Sequence, residues 1–246
     1  MDMENLRPIW VWMIAVMVIM QVSIAMDYWG DFASNTWAVH VHYWNATAWY
    51  AFLILQPLFV AKGKITSHRT WGMFGLLLAG AMILLSVSQL FRDIVYANSV
   101  RDNPQDWGPF EPWFFFWIMQ SEMLLITAFA IAVIMAIVTR KSPADHGWWM
   151  ASTAFILIMP ALGRGLQNLW IYAFGFTPEN KSALDVPMYI CQAFIVAMAL
   201  LFAWRFGKLR HPATWLAVGA NAGMILLMPV AQSPAVHEFW RSVIAH

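Results

Sequence analysis

The chain of 246 residues is poor in charge, short of lysine and almost without cysteine. Charged side chains make up 11% of it, where a soluble domain carries about 25%. That shortage excludes an ordinary water-soluble globule and a disordered chain. Fourteen basic residues against thirteen acidic ones, a formal net charge of +1, leave no electrostatic footprint for a nucleic acid. The single cysteine, Cys191, excludes an internal disulfide, a CxxC zinc site and a thiolate-held iron–sulfur cluster. The lysines at 62, 64, 141, 181 and 208 all fall between the apolar runs, so no intramembrane amine is available for a retinal-type Schiff base. Also missing are the HExxH helix of a zinc protease, the GxSxG nucleophile elbow and the multi-histidine boxes of di-metal membrane oxygenases. What the chain has is apolar mass: 61% hydrophobic residues, 16 tryptophans, 17 methionines and a mean hydropathy of +0.60. Such a chain belongs in a lipid bilayer.

A spanning helix needs about 20 mainly apolar residues. Seven segments qualify, at about 8–26, 37–61, 70–92, 113–139, 147–172, 187–206 and 213–230. The first carries one early positive charge, Arg7, and no small-x-small cleavage site before Asp27, so it reads as a permanent helix rather than a signal peptide. The expected fold is therefore all-α: one integral membrane bundle of seven transmembrane helices over residues 1–246. Lys62, Lys64 and Arg69, then Arg140 and Lys141, then Arg205, Lys208 and Arg210 follow helices two, four and six, whereas the alternate loops are acidic or mixed. Basic loops stay cytoplasmic, which predicts a cytoplasmic N-terminus, an external C-terminus and residence in the cell inner (plasma) membrane. Pro112, Pro187 and Pro212 suit first helical turns. Pro57, Pro160 and Pro229 lie inside apolar runs and should kink or loosen them. The stretch 232–246 is too short and polar to span and reads as an interfacial or capping segment.

An ionisable side chain in hydrocarbon tends to face the bundle or a cavity, with a partner. Glu122 on the fourth span lies about 15 Å below the outer face and Arg164 on the fifth about 12 Å, at ~1.5 Å per residue, so an ion pair between them is expected. His42, Asn45, Gln120, Asn168 and Gln192 fall in the same outer half, while the inner halves of these helices are nearly all apolar. Taken singly, Gln89, Gln120, Gln167 and Gln192 are what interhelical hydrogen bonds require. Gathered round a charged pair, they describe an outward-facing polar pocket for a small or amphipathic ligand. Arg92, with Asp93 beside it, reads as snorkelling to the outer headgroups.

From His42 the chain runs through Gln56-Pro57 to His68-Arg69-Thr70-Trp71-Gly72. This stretch of about thirty residues resembles uncharacterised bacterial multi-pass membrane proteins with the same His…Gln-Pro…His-Arg-x-x-Gly layout. That layout is distantly similar to transmembrane di-haem cytochromes b. The resemblance implies haem b, or a metal ion, with His42 as an outer ligand and His68 as an inner one, and electron exchange with quinone. Three roles follow as expectations: binding, sensing or transport of a ligand at Glu122 and Arg164; a membrane redox protein; or an accessory subunit of a larger membrane complex or homo-oligomer, docking through the aromatic stretch 113–117.

Overall fold

The computed structural model describes residues 9–244; Arg7, Pro8 and the terminal His246, which enter the expectations above, lie outside the described residues. Every regular element among the described residues is helical. In chain order these are α1 (Ile9–Ser23), α2 (Trp37–Ala61), α3 (Ile65–Asp102), α4 (Pro112–Val138), α5 (Pro143–Leu157), α6 (Met159–Phe174), α7 (Val186–Arg205), α8 (Pro212–Ala231) and α9 (Pro234–Ile244).

Proline places several boundaries. Pro112, Pro143 and Pro212 open helices, where the missing N–H has no intrahelical acceptor to fail. Pro160 separates α5 from α6 at Ile158, because it cannot donate to the Ile156 carbonyl and its ring crowds that turn. The carbonyls just before the break are satisfied from outside: Tyr50 Oη donates to Ala154 (2.9 Å) and Asn221 Nδ2 to Phe155 (3.0 Å). Pro57 and Pro229, by contrast, sit within unbroken α2 and α8.

Helices α3, α4, α5–α6 taken as one broken span, α7 and α8 are long and apolar enough to cross a membrane. α3 reaches furthest beyond its expected bounds, with 38 residues, or about 57 Å at ~1.5 Å per residue. α1 has only 15 described residues. α2 has the length, but His40, His42, Asn45, Thr47 and Gln56 dilute its apolar character. After α1 the chain makes one wide turn at Ala25–Trp29, closed by Gly30 N–H on the Ala25 carbonyl (3.0 Å).

α1, α2, α3, α4, α8 and α7 are successive neighbours in a ring, α6 fits between α7 and α1, and α5 fills the middle against α4 and α8. The close approach of α6 to α1 depends on Gly165, where a Cβ would stand 2.5 Å from the Ser23 carbonyl oxygen. Indole and phenyl groups fill the core, and the three most deeply buried tryptophans each find an acceptor: Trp49 at Thr153 (3.2 Å), Trp117 at the Met224 carbonyl (2.7 Å) and Trp148 at Thr214 (3.0 Å). Large apolar side chains such as Leu77, Leu84, Ile134 and Leu226 instead stand exposed on the outside. In water so broad an apolar belt would be an aggregation surface; against lipid tails it needs no cover.

The connections gather at two ends. The basic turns 62–64, 139–142 and 206–211 lie at one, and 24–36, 103–111 and 175–185 at the other, here the basic and acidic ends. α9 follows α8 and packs on α4 and α8, with His237 Nε2 donating to the Ala231 carbonyl (2.6 Å).

Candidate functional site

Three charged side chains from different helices share one depth. Arg92, Glu122 and Arg164 each lie ten residues from the acidic end of α3, α4 and α6, or about 15 Å along the helix. The partners differ from those depth alone suggests. The salt-bridge partner of Glu122 is Arg92, at 3.9 Å, and that of Arg164 is Asp27 on the wide turn, at 3.3 Å. The expected Glu122–Arg164 ion pair is therefore corrected. α4 packs on α3, whereas α6 packs on α1 and α7, so equal depth does not bring the two side chains into contact. Arg92 is corrected too: it turns into the bundle instead of reaching for headgroups. It grips Asp93 through Nε (3.0 Å) and Nη2 (2.7 Å), donates to Gln89, and lies 5.7 Å from the centre of the Tyr96 ring.

The two halves still form one electrostatic group. The charges of Arg92 and Arg164 both act on His42 and on Glu122, and that of Arg164 reaches Asp93. Asp93 is 2% exposed and Glu122 15%, while the side chain of Arg164 is 47% exposed. The arrangement is thus closed on the α3–α4 side and open at α6. Asn168, one turn beyond Arg164, donates to the same Asp27. Three buried polar atoms in this group have no hydrogen-bond partner among the described residues: His42 Nδ1, Asp93 Oδ2 and Glu122 Oε2. A ring of aromatics stands over the wide turn. Tyr28 stacks on Tyr43 at 3.5 Å and meets Trp29, Phe32 and His40 edge-on.

The other sequence-derived candidates lie apart from this group. Asn45 ties α2 to α3 through the Leu78 carbonyl (3.4 Å), and Gln192 reaches Met224 Sδ (3.4 Å) inside the α7–α8 contact. Gln120 lines an apolar groove with Leu227, Val230, Phe239 and Trp240 between α4, α8 and α9. A second cavity of about 390 Å³ lies at the acidic end, walled by Arg101, Gln105, Phe110, Glu111 and Lys181. Neither cavity touches Glu122 or Arg164. Asp27 and Asp93 were missed as members of the charged group. Asp27 follows the expected first span and Asp93 falls one residue past the expected third, so both read as loop residues. Asp93 has a signal in hindsight: no proline or glycine follows to end α3 before Pro104.

The histidines divide by end. His40 shares a hydrogen bond with Tyr28 (2.7 Å) and His237 lies 4.8 Å from the Phe116 ring, so both are engaged away from His42. His68, at the basic end, faces His146 with ring centres 6.1 Å apart. No group of three or more His, Cys, Asp or Glu side chains suited to a metal ion occurs among the described residues. Compared with known proteins, the chain matches no family model, no curated protein and no solved structure. What fold and surface define is a class: a helical, multi-pass membrane bundle with a charged group embedded in one half.

Proposed function

We propose that the protein is a seven-span component of the cell inner (plasma) membrane, N-terminus inside, that binds a small amphipathic ligand with a cationic, hydrogen-bond-donating head. Its role is binding, sensing or transport. α1 and α2 complete the seven spans: α2 at 25 residues measures about 38 Å, and its polar side chains are those that would face the bundle. The carrying observation is the set of unpartnered atoms at His42, Asp93 and Glu122. A buried polar group without a partner costs about 1–3 kcal/mol. Two of the three are carboxylate oxygens, which only accept while ionised. Three acids, Asp27, Asp93 and Glu122, stand against two guanidiniums, Arg92 and Arg164, which leaves room for one more positive charge. The aromatic faces beside Asp27 suit the same cation. An amphipathic ligand would reach the group sideways, past half-exposed Arg164.

The test is calorimetric titration of octylamine into the full chain in lipid nanodiscs, with octanol as the uncharged control. The reading expects saturable binding of octylamine, at least tenfold tighter than octanol, and at least a tenfold loss in a folded Glu122→Gln variant. Equal affinity for amine and alcohol, or an unchanged Glu122→Gln variant, overturns it.

A further inference from the structure

At the basic end the structure holds two histidines in a way that the charged group does not require. His146, in the first turn of α5, makes a 2.8 Å hydrogen bond from Nδ1 to the Ala136 carbonyl at the end of α4. A carbonyl only accepts, so Nδ1 carries the proton and Nε2 of the neutral ring holds a lone pair. His68, in the first turn of α3, stands across from it on the neighbouring turn. Its Nδ1 is buried and without a partner. His146 therefore has one nitrogen anchored on main chain and the other free, and His68 offers a buried nitrogen without a partner. Gln56 adds a buried side-chain amide whose nitrogen and oxygen both lack partners.

Anchoring one imidazole N–H on a backbone carbonyl is the usual way of fixing the tautomer of a metal-ligating histidine. The two rings stand 6.1 Å apart, centre to centre, at 87°. Once the ring radii are subtracted, the remaining gap is close to two metal–nitrogen bonds of about 2 Å each. A quinol bridging the pair by its two hydroxyls is too long for that gap. We infer that His68 Nδ1, His146 Nε2 and the Gln56 side-chain oxygen form a binding site for one first-row transition-metal ion of the zinc or copper class, for which imidazole is a preferred ligand. The site joins the α2–α3 turn to the α4–α5 turn, and Arg69 beside it keeps its affinity below that of a site with an acidic ligand.

The experiment adds Cu²⁺ alone to the purified full chain and records both the binding isotherm and the electron paramagnetic resonance spectrum. One ion per chain is expected, with hyperfine coupling to two imidazole nitrogens. His68→Ala and His146→Ala should each weaken binding at least tenfold, and His42→Ala should leave it unchanged. The spectrum of the unmodified chain decides even where a variant fails to fold. Coupling to fewer than two nitrogens, the absence of saturable binding, or retention of the site in a folded His68→Ala/His146→Ala chain overturns the inference.

Discussion

A guanidinium between two carboxylates has no neutral substitute inside a bilayer, and Arg92 is in that position. Removing it leaves Asp93 and Glu122 as neighbouring acids without their salt-bridge partner, and breaking such a pair costs about 3–5 kcal/mol. Arg164 and Asp27 are more exposed, and Asn168 still donates to Asp27 when Arg164 is removed, so less is left without a partner. Thermal unfolding of the solubilised protein should therefore show a large loss for Arg92→Ala and a small one for Arg164→Ala; the reverse order would show that the pairing is misassigned. Outside the spans, Lys181 lies 2.7 Å from Glu111 and holds its carboxyl below the usual range, helped by the Trp113 indole N–H. Glu111 thus contributes stability above the ordinary carboxylate range that is lost as pH falls through its lowered value. Lys181→Ala should flatten that acid limb by less than about 1 kcal/mol, as measured by unfolding between pH 3 and 6. At the basic end, burial holds the His211 imidazole below its ordinary value, and its Nδ1 accepts the Ala213 N–H (3.1 Å) that begins α8. Protonation ends that acceptance, so this contribution too is present at neutral pH and is lost on acidification.

Elements follow from the apolar runs wherever lipid sets their length, and depart from them where it does not. α2, α4, α7 and α8 begin and end within a residue or two of the segments read from hydropathy. α3 continues ten residues past its expected end, because a helix leaving the membrane loses its apolar signal without losing its hydrogen bonds. Of three internal prolines, Pro160 alone divides a span, and hydropathy is silent on which of them will. Site depth was legible for the same reason: rise per residue is fixed, so Glu122 and Arg164 fall at matching levels. Which helices touch was not legible, since ring order depends on packing shapes such as Gly165 against Ser23 and Gly75 against Phe52. Gly165→Ala should accordingly push α6 from α1 and destabilise the protein by about 1–3 kcal/mol. It should also disturb Arg164–Asp27, readable as a lower unfolding temperature with octylamine binding weakened in parallel; a stability equal to that of the parent chain would contradict the contact.

The whole molecule is an apolar cylinder with charge at its ends and one charged group within, and its topology is open to direct labelling. Cys191 is buried, so single cysteines introduced at Lys62 and Arg140 should react from one side of the membrane and those at Asp31 and Glu179 from the other. Labelling of all four from the same side would contradict the seven-span arrangement. The account turns on where a ligand sits: in the charged group of α2, α3, α4 and α6, or in the apolar groove under α9. The most direct measurement is photo-crosslinking of a diazirine-bearing octylamine to the full chain in nanodiscs, followed by peptide mapping. The account predicts adducts on the acidic-end halves of α2, α3, α4 and α6, suppressed by excess octylamine; adducts confined to Leu227, Val230, Phe239 and Trp240, or spread without competition over the lipid-facing surface, would contradict it.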